Sequence, residues 1–332
     1  MTQEPAAKST PFSIEQALSR FDLLIDQLEA RSPGEAEPVV DTLTPDGVTA
    51  QAGAVTSAAT TAGVRQSERP RSAVPLQTDA PVVLSVSGLV KRYGSTVAVD
   101  GVDLEVRGGQ IFGLVGPNGA GKTTTLSMVT GLLRPDQGSV LVSGRDVWVD
   151  PAAAKRDMGI LPDRLLLFDR LTGRQLLYYS GMLRGLDRDT VVARSGELIA
   201  AFDLDDAQDR LVTDYSAGMT RKIALAAAMI HSPRLLILDE PFESVDAVSV
   251  ATVLDILRRY ARAGGTVVLS SHSMDLIESA CDSVAVIAEG RVLVSGTTES
   301  VRGDISLEDR FVSMIGELQP GEDMEWLRSF SD

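Results

Sequence analysis

Gly116-Pro117-Asn118-Gly119-Ala120-Gly121-Lys122-Thr123-Thr124 is the stretch whose reading decides the fold. Before it comes Ile111-Phe112-Gly113-Leu114-Val115, a short apolar run that reads as a buried strand. After it comes Leu126-Ser127-Met128-Val129-Thr130-Gly131-Leu132-Leu133, apolar and long enough for a helix. Strand, glycine-rich turn and helix together are the context of a phosphate-binding loop. The glycines let successive backbone N–H groups curl around an anion. The helix N-terminus adds partial positive charge at the same point. In such a loop Lys122 reaches the β- and γ-phosphates and the Thr123 hydroxyl sits on Mg²⁺.

A second apolar run, Arg234-Leu235-Leu236-Ile237-Leu238, ends in two carboxylates, Asp239 and Glu240. The sequence reading sets this strand next to the phosphate loop. Asp239 is then placed to hold Mg²⁺ through its hydration shell. Glu240 follows directly and projects differently from the same strand end. A third buried run, Thr266-Val267-Val268-Leu269-Ser270, is followed by Ser271-His272.

The bulk numbers limit the function classes. A length of 332 residues allows about two ordinary domains, and 44% apolar residues can build a core. A net charge of −15 argues against general affinity for nucleic acid or anionic membrane, which need basic surface. With one cysteine, Cys281, no disulfide framework is expected, which suits a reducing compartment. No run of ~18 apolar residues is present, so a membrane role is expected to come through a partner.

Along the chain, four parts are expected. Residues 1–31 form an N-terminal extension with a short amphipathic helix: Ser13 and Gln16 make a capping box, and Ile14, Leu18, Phe21, Ile25 and Leu28 a stripe. Residues 32–80 are rich in Ala, Thr, Ser, Pro and Gly and read as a disordered linker. Residues 81–296 hold the compact domain, with a helical subdomain at about 163–230 that opens on the capping box Thr172-Gly173-Arg174-Gln175. Residues 297–332 form a C-terminal helical tail, with helices near Leu307–Leu318 and Met324–Phe330. Alternating strands and helices predict an α/β domain with a mostly parallel core sheet and antiparallel N-terminal strands. His231, ahead of Ser232-Pro233, reads as a capping or surface residue.

In their order along the chain, these motifs resemble the ATPase cassette of ABC transporters, over about Val82 to Gly296. The resemblance implies a P-loop ATP hydrolase with ATP and Mg²⁺ as cofactors. It implies that Glu240 polarises the attacking water, that His272 contacts the γ-phosphate and that Tyr93 stacks on adenine. Ser216-Ala217-Gly218-Met219 resembles the family's signature loop. There Ser216 and Gly218 meet a γ-phosphate bound by the other member of a head-to-tail dimer, and Asp246 matches the aspartate that couples the two sites. Asp163 stands where the family usually has a glutamine that touches Mg²⁺ and links ATP to the membrane subunit. A carboxylate there, with Ser306-Leu307-Glu308-Asp309-Arg310-Phe311, resembles the bacterial branch that serves drug and polysaccharide exporters. The implied partners are an integral-membrane permease and a second cassette, identical or different, with no nucleic acid. The implied location is cytoplasmic, peripheral on the inner face of the cell membrane through the permease. The alternative is a soluble ABC ATPase acting on ribosomes or DNA. The short span from Lys122 to Ser216 leaves no room for a long coiled coil, and the acidic balance disfavours nucleic acid.

Overall fold

A computed structural model describes residues 80–168 and 170–318. The expected helix near residues 13–30, the linker at 32–79 and the helix Met324–Phe330 lie outside the described residues.

Two sheets carry the fold. The first is antiparallel, in the order β2-β1-β4-β5. It comprises β1 (Val82–Tyr93), β2 (Thr96–Arg107), β4 (Gln137–Val142) and β5 (Arg145–Asp146). The second has the order β10-β9-β3-β8-β7-β6 and is parallel throughout except for β10. It comprises β3 (Ile111–Val115), β6 (Met158–Leu161), β7 (Leu235–Leu238), β8 (Thr266–Ser271), β9 (Ser283–Ala288) and β10 (Arg291–Thr297). Every residue of β3, β7, β8 and β9 is buried. Strands covered on both faces are mostly apolar, and the polar residues at the ends of β8 and β9 (Thr266, Ser270, Ser271 and Ser283) are buried with them. On β2, by contrast, burial alternates from Gly101 onward, as for a strand with one face in water.

The pleat of β3 divides the core in two. Phe112 and Leu114 face the antiparallel sheet, in one cluster with Leu84, Val86, Val99, Val106 and Val140. Ile111 and Val115 face the other way, into a cluster that includes Leu177, Phe202, Ile223 and Leu257. Helix α1 (Lys122–Val129) closes the first cluster through Leu126, Met128 and Val129. It stops at Val129, four residues short of the apolar segment's end, and Leu132 is exposed. Helix α2 (Pro151–Arg156) leads into β6.

The helical region behaves as its caps predict. Thr172 and Gln175 form a reciprocal capping box at the start of α3 (Gly173–Leu183). Asp187 caps α4 (Arg188–Ala201), and Ser216 caps α5 (Ala217–Met229). Asp246 caps α6 (Ala247–Arg262), and α7 (Met274–Ala280) follows β8. Past β10, α8 (Thr298–Arg302) and α9 (Leu307–Leu318) bury Val301 and Leu307 in the same cluster as Phe202.

Two features of the sheets lie beyond the sequence reading, and a third differs from it. Strand β7 does not neighbour β3, because β8 lies between them and pairs with both. A buried apolar run records depth in the sheet but not its neighbours, and in parallel sheets the neighbour comes from a crossover. Strand β1 also continues through Lys91-Arg92-Tyr93, because register shifts let it keep pairing with β2 to the hairpin.

The third feature, His231, is a correction. It is neither a cap nor a surface group. Its Nε2 lies 3.1 Å from the Met158 carbonyl at the head of β6, so the neutral ring donates there. Nδ1 is buried without a partner among the described residues. Burial first, and then the nearby Arg184 charge, lower its pKa to about 4. The unfolded ring titrates near ~6.5, so between pH 6.5 and 4 the unfolded chain binds the extra proton. His231 therefore favours the fold above pH ~6.5, and that contribution is lost as pH falls towards 4. The melting temperature is expected to fall from pH 7 to pH 5, and His231→Gln to show a visibly shallower fall. Parallel profiles for the two proteins would remove His231 from this account.

Candidate active site

The loop from Gly116 to Thr124 runs from the end of β3 into α1 and has a fixed backbone. Gly116 sits where a Cβ would stand 2.1 Å from the Ile287 carbonyl oxygen of β9, so no side chain fits. Gly121 caps α1 in a left-handed conformation, φ 102°, with a Cβ position 2.5 Å from the Ala98 carbonyl oxygen. No side chain caps α1, so its first backbone N–H groups have no side-chain acceptor and face the loop. Lys122 folds back over the turn, and its Nζ donates to the carbonyls of Gly116 at 2.8 Å and Pro117 at 3.3 Å.

Asp239 and Glu240 leave the end of β7, and β8 positions both. The Ser270 hydroxyl donates to Asp239 Oδ1 at 2.6 Å and accepts the Glu240 backbone N–H at 2.9 Å. Ser270 is fully buried, and the sequence reading gave it no role. Its signal was a hydroxyl at the end of an otherwise apolar strand. Glu240 takes φ 46°, in the left-handed region that costs a non-glycine residue on the order of 1 kcal/mol or more. That turn aims its carboxylate back across the loop. Oε1 stands 3.5 Å from Lys122 Nζ, and Oε2 stands 3.0 Å from His272 Nδ1. Glu240 is 13% exposed and His272 53%.

These groups surround an open cavity of about 360 Å³. Asn118 to Thr124, Glu240 and His272 line it, with Asp163, Glu243 and Ala98 on its wall. Asp239 is buried, and burial raises its pKa, against hydrogen bonds from Ser270 and Thr123 that lower it and the charge of Asp163 that raises it. Asp239, Thr123 and Asp163 thus converge as hard oxygen donors, a set that fits a magnesium ion. Among the described residues no three His, Cys, Asp or Glu side chains form a cage for a metal. A magnesium ion here would take its remaining ligands from phosphates and water, as this ion usually does.

Seven expected site residues lie outside this cavity's lining: Gly116 and Pro117 of the loop, the buried Asp239, and Tyr93, Ser216, Gly218 and Asp246. Tyr93 ends β1, half exposed, with Lys91 Nζ 5.9 Å from its ring centroid. Ser216 is exposed, and its hydroxyl accepts the Met219 N–H at 3.3 Å. Asp246 is exposed too and accepts the Ser249 N–H at 2.9 Å, which lowers its pKa. Ser216, Gly218 and Asp246 form a neighbourhood of their own: a Cβ built on Gly218 would lie 4.0 Å from Asp246 Oδ2.

An open-ended helix under a glycine-rich turn, with strand-end acids facing its lysine, defines a P-loop nucleoside triphosphatase. Comparison with known proteins gives the particular family. The ABC transporter family pattern matches residues 99–243. The daunorubicin/doxorubicin resistance ATP-binding protein DrrA of Streptomyces peucetius is 40% identical over 230 residues, 69% of this chain and 70% of that protein. The linearmycin resistance ATP-binding protein LnrL of Bacillus subtilis (strain 168) is 36% identical over 216 residues, 65% of this chain and 69% of that protein. A solved ATP-binding subunit of an ABC transporter overlays with TM-score 0.67 at 28% identity, covering 70% of this chain and 99% of the other. This chain belongs to the ABC transporter family, as an ATP-binding and ATP-hydrolysing subunit.

Proposed function

We propose that the cavity beside Lys122 holds the triphosphate of ATP and that Glu240 is the catalytic base. Glu240 takes the proton of the attacking water as that oxygen bonds to the γ-phosphorus and the bond to ADP breaks. The reading is carried by the Glu240 carboxylate, held between Lys122 and His272 at the mouth of an uncapped helix. Lys122 exchanges its two loop carbonyls for β- and γ-phosphate oxygens, and His272 hydrogen-bonds the γ-phosphate. Thr123, Asp239 and Asp163 would hold magnesium, which would supply positive charge to offset that of the phosphates. Backbone N–H groups from Gly116 to Thr124 cradle the phosphates, and Tyr93 stacks on the base.

The site is completed by a second cassette, the same chain or a sister, arranged head to tail. Ser216, Gly218 and Asp246 support this reading: Ser216 and Asp246 are exposed and Gly218 half-buried, and all three lie close together and outside their own chain's cavity wall. Closure around ATP and reopening after hydrolysis give the cycle its two states. A membrane-spanning permease receives the motion through the segment after Asp163. Leu166 is 94% exposed and Phe168 69%, an apolar pair that fits a buried role at a partner surface. No helix among the described residues is long and apolar enough to cross a membrane. Likeness to drug-resistance ATP-binding proteins supports export as the direction.

Affinity capture of the full chain from detergent-solubilised membranes tests the partner. A multi-span membrane protein is expected at a fixed ratio. Recovery of ribosomal or DNA-bound material in its place would favour the non-transport reading.

A further inference from the structure

Asp163 and Glu243 line the nucleotide cavity, and both also face a cation outside that lining, Arg221. Arg221 stands in the second turn of α5, the helix that Ser216 caps. Its Nε donates to the Glu243 carbonyl at 3.1 Å, and its Nη2 to Glu243 Oε2 at 3.3 Å. Nη2 also lies 3.9 Å from Asp163 Oδ1, too far for a hydrogen bond. The side chain is 12% exposed, and Nη1 is buried with no hydrogen-bond partner among the described residues.

A guanidinium presents its donors in one rigid plane, and a buried donor left unpaired costs free energy. Asp163, partly exposed, is the facing carboxylate with freedom to close on that plane or to leave it for the cavity. Arg221 also offsets charge. Asp163, Glu240 and Glu243 all line a cavity in which Lys122 is the one lysine or arginine. A triphosphate entering it meets less repulsion while Arg221 balances two of the three acids.

We propose that Arg221 is a positioning residue for ATP hydrolysis. It holds the Asp163 and Glu243 walls of the cavity against the helix capped by Ser216, and passes their movement on nucleotide binding to that helix. This rests on the assignment of the cavity to ATP.

A mutant cycle with the full chain tests it, by ATP titration in EDTA and by turnover with magnesium. Arg221→Met is expected to weaken ATP binding in EDTA about fivefold, because Asp163 and Glu243 are left uncompensated. Adding Asp163→Asn is expected to recover at least about half of that loss, as residues acting through one another do not add. Arg221→Lys keeps the charge but not the fork. It is expected to bind ATP within about twofold of wild type while kcat falls and KM holds. If Arg221→Met does not fold, Arg221→Gln takes its place in the EDTA titration, with the same loss of ATP affinity and the same recovery expected on adding Asp163→Asn. Unchanged ATP affinity in Arg221→Met, or losses that simply add with Asp163→Asn, would overturn the proposal. Lys122→Ala in the same titration separates the two readings. Should it lose ATP while Arg221→Met does not, only the role of Arg221 fails; should it keep ATP, the assignment of the cavity fails.

Discussion

Glu240→Gln is expected to keep ATP bound and to lower turnover by roughly 10²–10⁴-fold, the range of general-base assistance. The substitution is nearly isosteric. The backbone N–H of residue 240 remains held by Ser270, so the strained turn at φ 46° has the same support. An amide still hydrogen-bonds Lys122 or His272 through its oxygen, but it cannot accept the proton of the attacking water. Affinity therefore survives while the chemical step does not, and KM and kcat separate. Steady-state phosphate release together with an ATP titration reads both. A Glu240→Gln protein that hydrolyses ATP at the wild-type rate would take the base role away from this residue.

The second large effect is at Lys122. Its side chain is 6% exposed and its ammonium rests on two loop carbonyls, so the positive charge already sits inside the turn. A hydrogen bond between charged partners contributes about 1.5–3 kcal/mol, which corresponds to roughly ten- to 150-fold in affinity. Lys122→Ala is expected to weaken ATP binding by that factor, measured by calorimetry. The glycine turn and the uncapped helix remain, so weak phosphate binding is expected to persist. An unchanged titration would contradict the phosphate-loop reading.

Much of this site could be read from the chain because its parts are local. Gly116 to Thr124 is one continuous turn, although the contacts that exclude a side chain at Gly116 and Gly121 come from Ile287 and Ala98. Asp239 and Glu240 stood out because β7 is buried on both faces, so two adjacent acids end an apolar run. What escaped the reading is long-range. The insertion of β8 between β3 and β7 is a matter of crossover order, which apolar runs do not encode. Ser270 bridges Asp239 and Glu240 only because of that insertion, so its role followed the topology out of view. Arg221 is another such case: in sequence it is a cation on an alanine-rich helix. In the fold it faces Asp163 and Glu243, residues 58 and 22 positions away. His231 was misread because the carbonyl that holds its ring belongs to Met158, 73 positions earlier.

The account stands on a shared site in which one cassette grips ATP and another closes over it. The most direct test is the mass of the ATP-loaded Glu240→Gln protein in solution, as purified from cells and measured by light scattering. The account predicts a complex of two cassettes, two copies of this 35.3 kDa chain or one copy with a sister, that separates when ATP is removed. An ATP-saturated Glu240→Gln chain that runs at 35.3 kDa with no second cassette attached would contradict it.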